Sequence, residues 1–124
     1  ARMAGAGGGR VINISSGAAQ APQFGRASYT VTKAALEALT ECMAFDLRDA
    51  KVAVNCLRLE LMVWTEGFAA TLVDPSGYGF EDPVIMSDAV LWMAKQPLAW
   101  TGQIETIGSL RERGAVRPVT RVTR

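Results

Sequence analysis

The sequence contains no histidine. That absence removes Ser–His–Asp triads, the H-E-x-x-H zinc helix and nearly every zinc constellation other than carboxylate-rich ones, so no metal site is expected. Acid–base chemistry near neutral pH then falls to a carboxylate, or to a Tyr, Lys or Cys with a shifted pKa. No apolar run approaches the ~20 residues that a membrane-spanning helix needs, and no membrane partner is expected. Ala1 to Arg10 is rich in Gly and Ala but lacks the apolar centre of a secretion signal. A formal net charge of +1 supplies no basic excess for nucleic acid. Cys42 and Cys56 both fall inside apolar stretches and read as reduced core thiols, which goes with a cytoplasmic location. At 124 residues the chain is long enough for one small domain with a real core and too short for two. It opens on Ala rather than Met, so a fragment is one expectation.

What is present alternates between two kinds of segment. Val11-Ile12-Asn13-Ile14-Ser15 is short and β-branched, and reads as a strand buried on both faces of a parallel sheet. Gly17, Pro22 and Gly25 mark a loop from Ser16 to Gly25. From Ala27 to Ala50 there is no Pro or Gly, which predicts a long helix. Val31, Ala35, Ala38, Cys42 and Phe45 make one apolar stripe on it, and Leu36, Leu39, Met43 and Leu47 a second. A helix apolar on two sides is expected to be buried on two sides, by a sheet and by a partner helix or subunit. Lys51 to Leu57 predicts a second strand. Arg58 to Pro83 is punctuated by Gly and Pro, with a short helix expected near Thr65–Leu72. Ser87 is the expected N-cap of a helix ending at Gln96, before Pro97. Ile104 to Ile107 predicts a third strand. The alternation of strands and helices gives an α/β parallel sheet. Beyond Ser109, Arg111, Arg113, Arg117, Arg121 and Arg124 stand against Glu112 alone. The expectation is a solvated, poorly ordered tail over 110–124, distinct from the domain at 1–109. Without interleaved aromatics, and with a negative remainder of the chain, its Arg content is a weak case for nucleic acid, and no nucleic-acid partner is expected.

One constellation carries chemistry. Tyr29 and Lys33 lie four apart on the predicted helix and so share a face. A phenol beside an ammonium ionises more readily, because the positive charge favours the phenolate. Ser15 and Ser16 end the first predicted strand, and α/β sheets carry their functional loops at the carboxyl ends of strands. The Gly/Pro loop between Ser16 and Tyr29 lets hydroxyl, phenol and ammonium converge.

On these residues the sequence resembles the short-chain dehydrogenase/reductase family. The match consists of Asn13-Ile14-Ser15-Ser16, Tyr29-Thr30-Val31-Thr32-Lys33-Ala34-Ala35, Val54-Asn55 with Thr65, and Thr101-Gly102-Gln103 before the last strand, running from about Gly9 to Gly108. The resemblance implies the C-terminal part of a Rossmann-like, doubly wound parallel sheet, with about three strands and flanking helices. It implies hydride transfer between NAD or NADP and an alcohol or carbonyl substrate. Tyr29 would be the general acid/base, Lys33 would assist its ionisation and bind the nicotinamide ribose, and Ser16 would hold the substrate oxygen. Leu59, Val63 and Thr65, with Tyr29 and Lys33, would form the cofactor wall. Gly17, Ala18, Gln23, Phe24 and Trp64 are candidates for the substrate pocket. The chain ends too soon after Tyr29 for the larger substrate domain of epimerase-type members, which favours simple alcohol/ketone chemistry.

Two departures stand out. Gly5-Ala6-Gly7-Gly8-Gly9 precedes a strand and opens no helix, so it is no substitute for the family's nucleotide-binding glycine turn. The usual Pro-Gly pair after the second strand is replaced by Leu59-Glu60, and the segment to Thr65 is one residue longer. A second reading, a non-catalytic remnant or oligomerisation module, rests on the helix Ala27–Ala50, where Ala34, Ala35 and Ala38 permit close helix pairing. A half-sheet would leave an apolar edge open. The chain alone is therefore expected to be unstable or oligomeric, and a poor binder of dinucleotide.

Overall fold

In the computed structural model, which describes residues 2–71 and 79–119, the β-branched segments become strands β1 (Gly9–Ser16), β2 (Val52–Leu59) and β3 (Ile104–Thr106). They form one parallel sheet in the order β1-β2-β3. Ser15 lies opposite Arg58 and Ser16 opposite Leu59, so β1 and β2 end level with each other. The flanking helices are α1 (Arg2–Gly5), α2 (Ala27–Asp46), α3 (Glu66–Ala69), α4 (Val84–Lys95) and α5 (Ile107–Glu112). Strand side chains alternate between faces. Val11, Val52 and Val54 pack with Ala44 and Met43 of α2 on one face. Ile12, Ile14 and Leu57 pack with Ile85, Ala89 and Met93 of α4 and with Ile107 and Leu110 of α5 on the other. This is the expected α/β parallel sheet covered on both faces. Among the described residues the outer side of β1 pairs with no strand.

The structure differs from the sequence expectations at the helix ends. The long helix stops at Asp46 rather than Ala50, and residues 47–50 are turn. Lys51 follows in the left-handed region, φ 56°, while its carbonyl accepts from Gly9 N at 3.1 Å and Val52 N returns to Leu47 O. The chain must reverse there to enter β2, and no propensity signal marks it. Helix α4 begins at Val84, because Asp82 Oδ1 accepts from Val84 N at 2.9 Å and Pro83 supplies the fixed φ of a helix start. Ser87 is therefore inside the helix, not its cap. The third strand ends at Thr106, where a capping box between Thr106 and Ser109 starts α5.

Two burial expectations are also corrected. Helix α2 turns neither apolar stripe fully inward. Its buried residues are Glu37, Thr40 and Ala44, while Val31 and Phe45 are 65% and 73% exposed, and Cys42 is exposed rather than a core thiol. The reason lies in the strands. Positions of β1 and β2 facing α2 carry Asn13, Ser15 and Arg58, which need polar partners once buried. Thr40 accepts from Asn13 Nδ2 at 2.9 Å, and Glu37 takes Ser15 and Arg58. The segment read as a solvated tail packs instead as far as it is described. Leu110 is fully buried and Val116 nearly so, and Arg111, Arg113 and Arg117 pair with Glu81, Glu105 and Asp88. Arg121 and Arg124 lie outside the described residues.

Candidate active site

The carboxyl ends of β1 and β2 open into a cleft of about 1060 Å³. Ser16 ends β1 and caps the short 3₁₀ turn Gly17–Ala19, its Oγ accepting from Ala18 N at 3.3 Å. Among the described residues none accepts the Ser16 proton, which leaves that O–H to serve the cleft. Tyr29 and Lys33 reach the same cleft from the first two turns of α2. The Lys33 ammonium donates to Ile14 O at 2.8 Å and lies 5.7 Å from the Tyr29 ring centre. A cation thus sits beside the phenol on the helix face that the i, i+4 spacing requires. Tyr29 remains 41% exposed, with no hydrogen-bond partner for its hydroxyl among the described residues.

The remaining residues expected at the site divide. Leu59, Val63 and Thr65 line this cleft, as do Gly17, Ala18 and Gln23. Val63 is buried and bridged to Glu81, and Thr65 Oγ1 caps α3 by accepting from Phe68 N at 3.1 Å. Phe24 and Trp64 are corrected. Phe24 stands fully in solvent, at the turn that Gly25 makes with φ 74°. Trp64 packs edge-on against Phe80, with ring centres 5.0 Å apart. The extended bridge at Val63 sends neighbouring side chains to opposite sides, so Val63 and Trp64 do not share a wall. Sequence reasoning missed Arg26, Glu60, Met62, Phe68 and Met86, which also line the cleft. Met62 and Phe68 lie within a few residues of Val63 and Thr65 and were open to a scan of the loop. Met86 comes from α4, and no local signal marks it.

The Leu59-Glu60 departure has a structural counterpart. Glu60 Oε1 accepts from Gly108 N at 3.0 Å, tying the exit of β2 to the first turn of α5. A Cβ at Gly108 would meet that same oxygen at 2.6 Å, so the acid and the glycine fit as a pair. Behind the cleft, Arg58 donates to both Glu37 oxygens, at 2.8 and 2.7 Å. The Arg58 guanidinium chiefly, helped by Ser15, holds the Glu37 carboxyl below its usual range against the opposing effect of burial. Burial pushes the Cys56 thiol up. The two glycines at the entry to β1 are closely packed. A Cβ at Gly8 would strike Lys51 O at 2.6 Å, and one at Gly9 would strike Met3 Cγ and Sδ at 2.7 Å.

With this geometry in view, comparisons with known proteins are specific. The profile of short chain dehydrogenases matches residues 1–71. A short-chain type dehydrogenase/reductase of Picea abies is 43% identical over 58 residues, which are 45% of this chain and 21% of that protein. A solved short chain dehydrogenase/reductase family protein superposes with a TM-score of 0.72 at 31% identity, over 84% of this chain and 46% of that one. A 7α-hydroxysteroid dehydrogenase, solved with NADH and 7-oxo glycochenodeoxycholic acid, gives a TM-score of 0.74 at 25% identity, over 95% and 48%. The chain thus spans about half the length of these solved relatives, and its matched segment about a fifth of the Picea abies protein. Agreement in sequence over more than half of the chain, and in fold over most of it, means that the chain belongs to the short-chain dehydrogenase family.

Proposed function

We propose that this chain is the C-terminal, catalytic part of an NAD(P)-dependent oxidoreductase interconverting an alcohol and its carbonyl compound. The observation that carries the reading is the convergence of Ser16, Tyr29 and Lys33 on one cleft, with the Lys33 ammonium beside the Tyr29 ring. The donor set fits the nicotinamide-ribose end of the cofactor: Lys33 and Tyr29 offer donors to ribose hydroxyls, and Leu59, Val63 and Thr65 supply the adjoining wall. The glycine run Gly5–Gly9 leads into β1 and opens no helix, so on this reading the diphosphate is held by the remainder of a longer protein. The open side of β1 and the half-length match to solved relatives support that arrangement.

When bound, the nicotinamide accepts or supplies the hydride. The chain's own residues manage the oxygen and its proton. Ser16 donates its hydroxyl hydrogen to the substrate oxygen and holds it near Tyr29, in the manner of a preorganised site. Tyr29 gives its proton to that oxygen in reduction and takes it back in oxidation. Lys33 holds a positive charge beside the Tyr29 ring and offers its ammonium to the ribose hydroxyls. Gly17, Ala18 and Gln23 border the substrate side of the cleft.

Homo-oligomerisation through α2 is part of the proposal. Val31, Leu39 and Phe45 are exposed on a helix whose other face packs on the sheet, and Ala34, Ala35 and Ala38 would let a second helix approach. A cytoplasmic location completes the proposal, supported by the free cysteines Cys42 and Cys56. No helix among the described residues is long and apolar enough to cross a membrane.

The test is oxidation of NADH and NADPH by the intact protein against a panel of ketones and aldehydes, with Tyr29→Phe as the comparison. A loss of roughly 10²–10⁴-fold in turnover is expected, with an unchanged unfolding midpoint because Tyr29 is half-exposed. Equal turnover by Tyr29→Phe overturns the assignment. If the intact protein oxidises neither cofactor, the non-catalytic oligomerisation module takes its place.

A further inference from the structure

We propose that Glu37, together with Ser15 and Arg58, is a positioning group that sets the register of the Tyr29–Lys33 helix against the Ser16 strand. The inference rests on the catalytic reading of Ser16, Tyr29 and Lys33, and it assigns work to a buried carboxylate which that reading leaves unused.

The proposed reaction centre is divided between two elements. Ser16 rides on β1, while Tyr29 and Lys33 ride on α2, so their mutual placement depends on whatever ties the helix to the strand near this end. One tie is the bond from Lys33 Nζ to Ile14 O, at 2.8 Å. On the catalytic reading the Lys33 ammonium must also serve the cofactor ribose, so it makes a poor fixed pin. Besides the long 3.5 Å approach of Ser15 Oγ to Lys33 O, the remaining tie is Glu37. Its Oε1 accepts from Ser15 Oγ at 2.7 Å and Arg58 Nε at 2.8 Å, and its Oε2 accepts from Arg58 Nη2 at 2.7 Å. Side-chain exposure is 8% at Glu37 and 18% at Arg58, and Ser15 is buried.

Each arm of this node adjoins a residue of the cleft. Ser15 precedes Ser16, Arg58 precedes Leu59, and Glu37 lies one helical turn beyond Lys33 on the same face. Three donors from two strands, meeting both oxygens of one carboxylate, fix the helix in rotation as well as in translation along its axis. Apolar packing alone tolerates small slides. Further along α2 the interface continues through Thr40 and Asn13 to Ala44 and the valines, but those contacts are remote from Tyr29. The other polar or titratable groups acting on Glu37 are Cys56 of β2 and Gln20 beside the 3₁₀ turn.

Stability alone does not call for this arrangement. A buried ion pair replaced as a whole by apolar side chains is often neutral or stabilising, whereas removing one partner leaves a stranded charge. That asymmetry separates positioning from plain structural support. The experiment compares intact wild-type protein with Glu37→Met/Arg58→Met, Glu37→Gln and Ser15→Ala, measuring kcat, KM and the melting temperature. It adds a crystal structure of the paired variant. The expected result is a paired variant that melts at or above the wild-type temperature, with kcat down roughly 10- to 100-fold and KM within about threefold of wild type. Glu37→Gln, which retains an acceptor for Ser15, should recover part of the loss. Ser15→Ala removes one arm with little change of volume, and should lower kcat about threefold at unchanged KM even if the paired variant fails to fold. Wild-type kcat in both the paired variant and Ser15→Ala overturns the proposal. If the wild-type protein itself transfers no hydride, the catalytic reading fails and the crystal structure decides the register. A Lys33 Nζ–Ile14 O bond lost through displacement of the first turns of α2 supports it, and an unmoved helix overturns it.

Discussion

Replacing Leu110 by Ala is the sharpest test of how this chain ends. Leu110 has no solvent exposure and packs in the cluster with Leu57, Ile85, Met93 and Ile107. The substitution deletes three side-chain carbons. At about 0.8 kcal/mol for each buried carbon, the transfer loss alone is roughly 2.4 kcal/mol. The cavity left behind adds to this, because the neighbouring side chains come from three elements and cannot all relax inward. Measured Leu→Ala costs of about 2–5 kcal/mol bracket the sum, and about 3 kcal/mol is expected here. With a urea slope of about 1.5 kcal/mol/M, the midpoint should fall by roughly 2 M. The assay is equilibrium urea unfolding of the intact protein, followed by tryptophan fluorescence, since Trp92 and Trp100 border this cluster. A shift under about 0.5 kcal/mol, as for a surface substitution, would refute the packing of 110–116. It would restore the solvated tail that composition alone suggests.

Further expectations follow from the same structure. Gly8→Ala should destabilise by about 1–3 kcal/mol, because Gly8 has φ 132° and its Cβ would lie 2.6 Å from Lys51 O. Gly5→Ala, with open space at its Cβ, should change nothing measurable, and equal effects at the two sites would contradict the turn geometry. The Glu37 carboxyl is held below its ordinary value of 4.5, first by the Arg58 hydrogen bonds. A carboxylate whose folded-state pKa is depressed gives stability that is complete above the unfolded value and lost as pH falls through the folded one. Unfolding midpoints should therefore decline from pH 5 downward, and Glu37→Gln should be less stable at pH 7 yet flatter in that window. Parallel curves would exclude Glu37 as a source of the decline. Phe45→Glu, placed where α2 is 73% exposed, should shift the proposed oligomer toward monomer in sedimentation velocity without lowering the monomer's helix content. Retention of the oligomer would move its interface elsewhere.

The fold class was legible because parallel strands buried on both faces are written as near-continuous apolar runs. Val11–Ser15 and Val52–Leu57 are such runs, and a Pro- and Gly-free stretch lies between them. Element ends were less legible. The stop of α2 at Asp46 depends on a chain reversal in which Lys51 accepts φ 56°, an event without a composition signal. Helix α5 was legible in principle, since Thr106 and Ser109 have capping-box spacing and Gly114 follows with φ 69°. A short apolar run read as a strand hid it. At the site, the grouping of Ser16, Tyr29 and Lys33 around one cleft was visible because it depends on local spacing, on one helix face and one strand end. Trp64 was misplaced because proximity in sequence says nothing about which side of an extended segment a ring takes, and Phe24 because the turn at Gly25 carries its ring into solvent.

By itself, the sequence determined the parallel α/β order and the shared helix face of Tyr29 and Lys33, and its motifs carried the resemblance to the family. The first two depend on periodicity and spacing, which are properties of the chain read locally. Only the tertiary structure decided which face of α2 is buried. Apolar periodicity favoured the stripes through Val31 and Leu36. The sheet beneath offered Asn13, Ser15 and Arg58, whose burial without partners would cost more than leaving valine and phenylalanine in water. Glu37 and Thr40 answer them from α2, residues distant in sequence from both strands. The buried face of that helix was therefore set by the polar needs of its neighbours, which no reading of the helix alone contains.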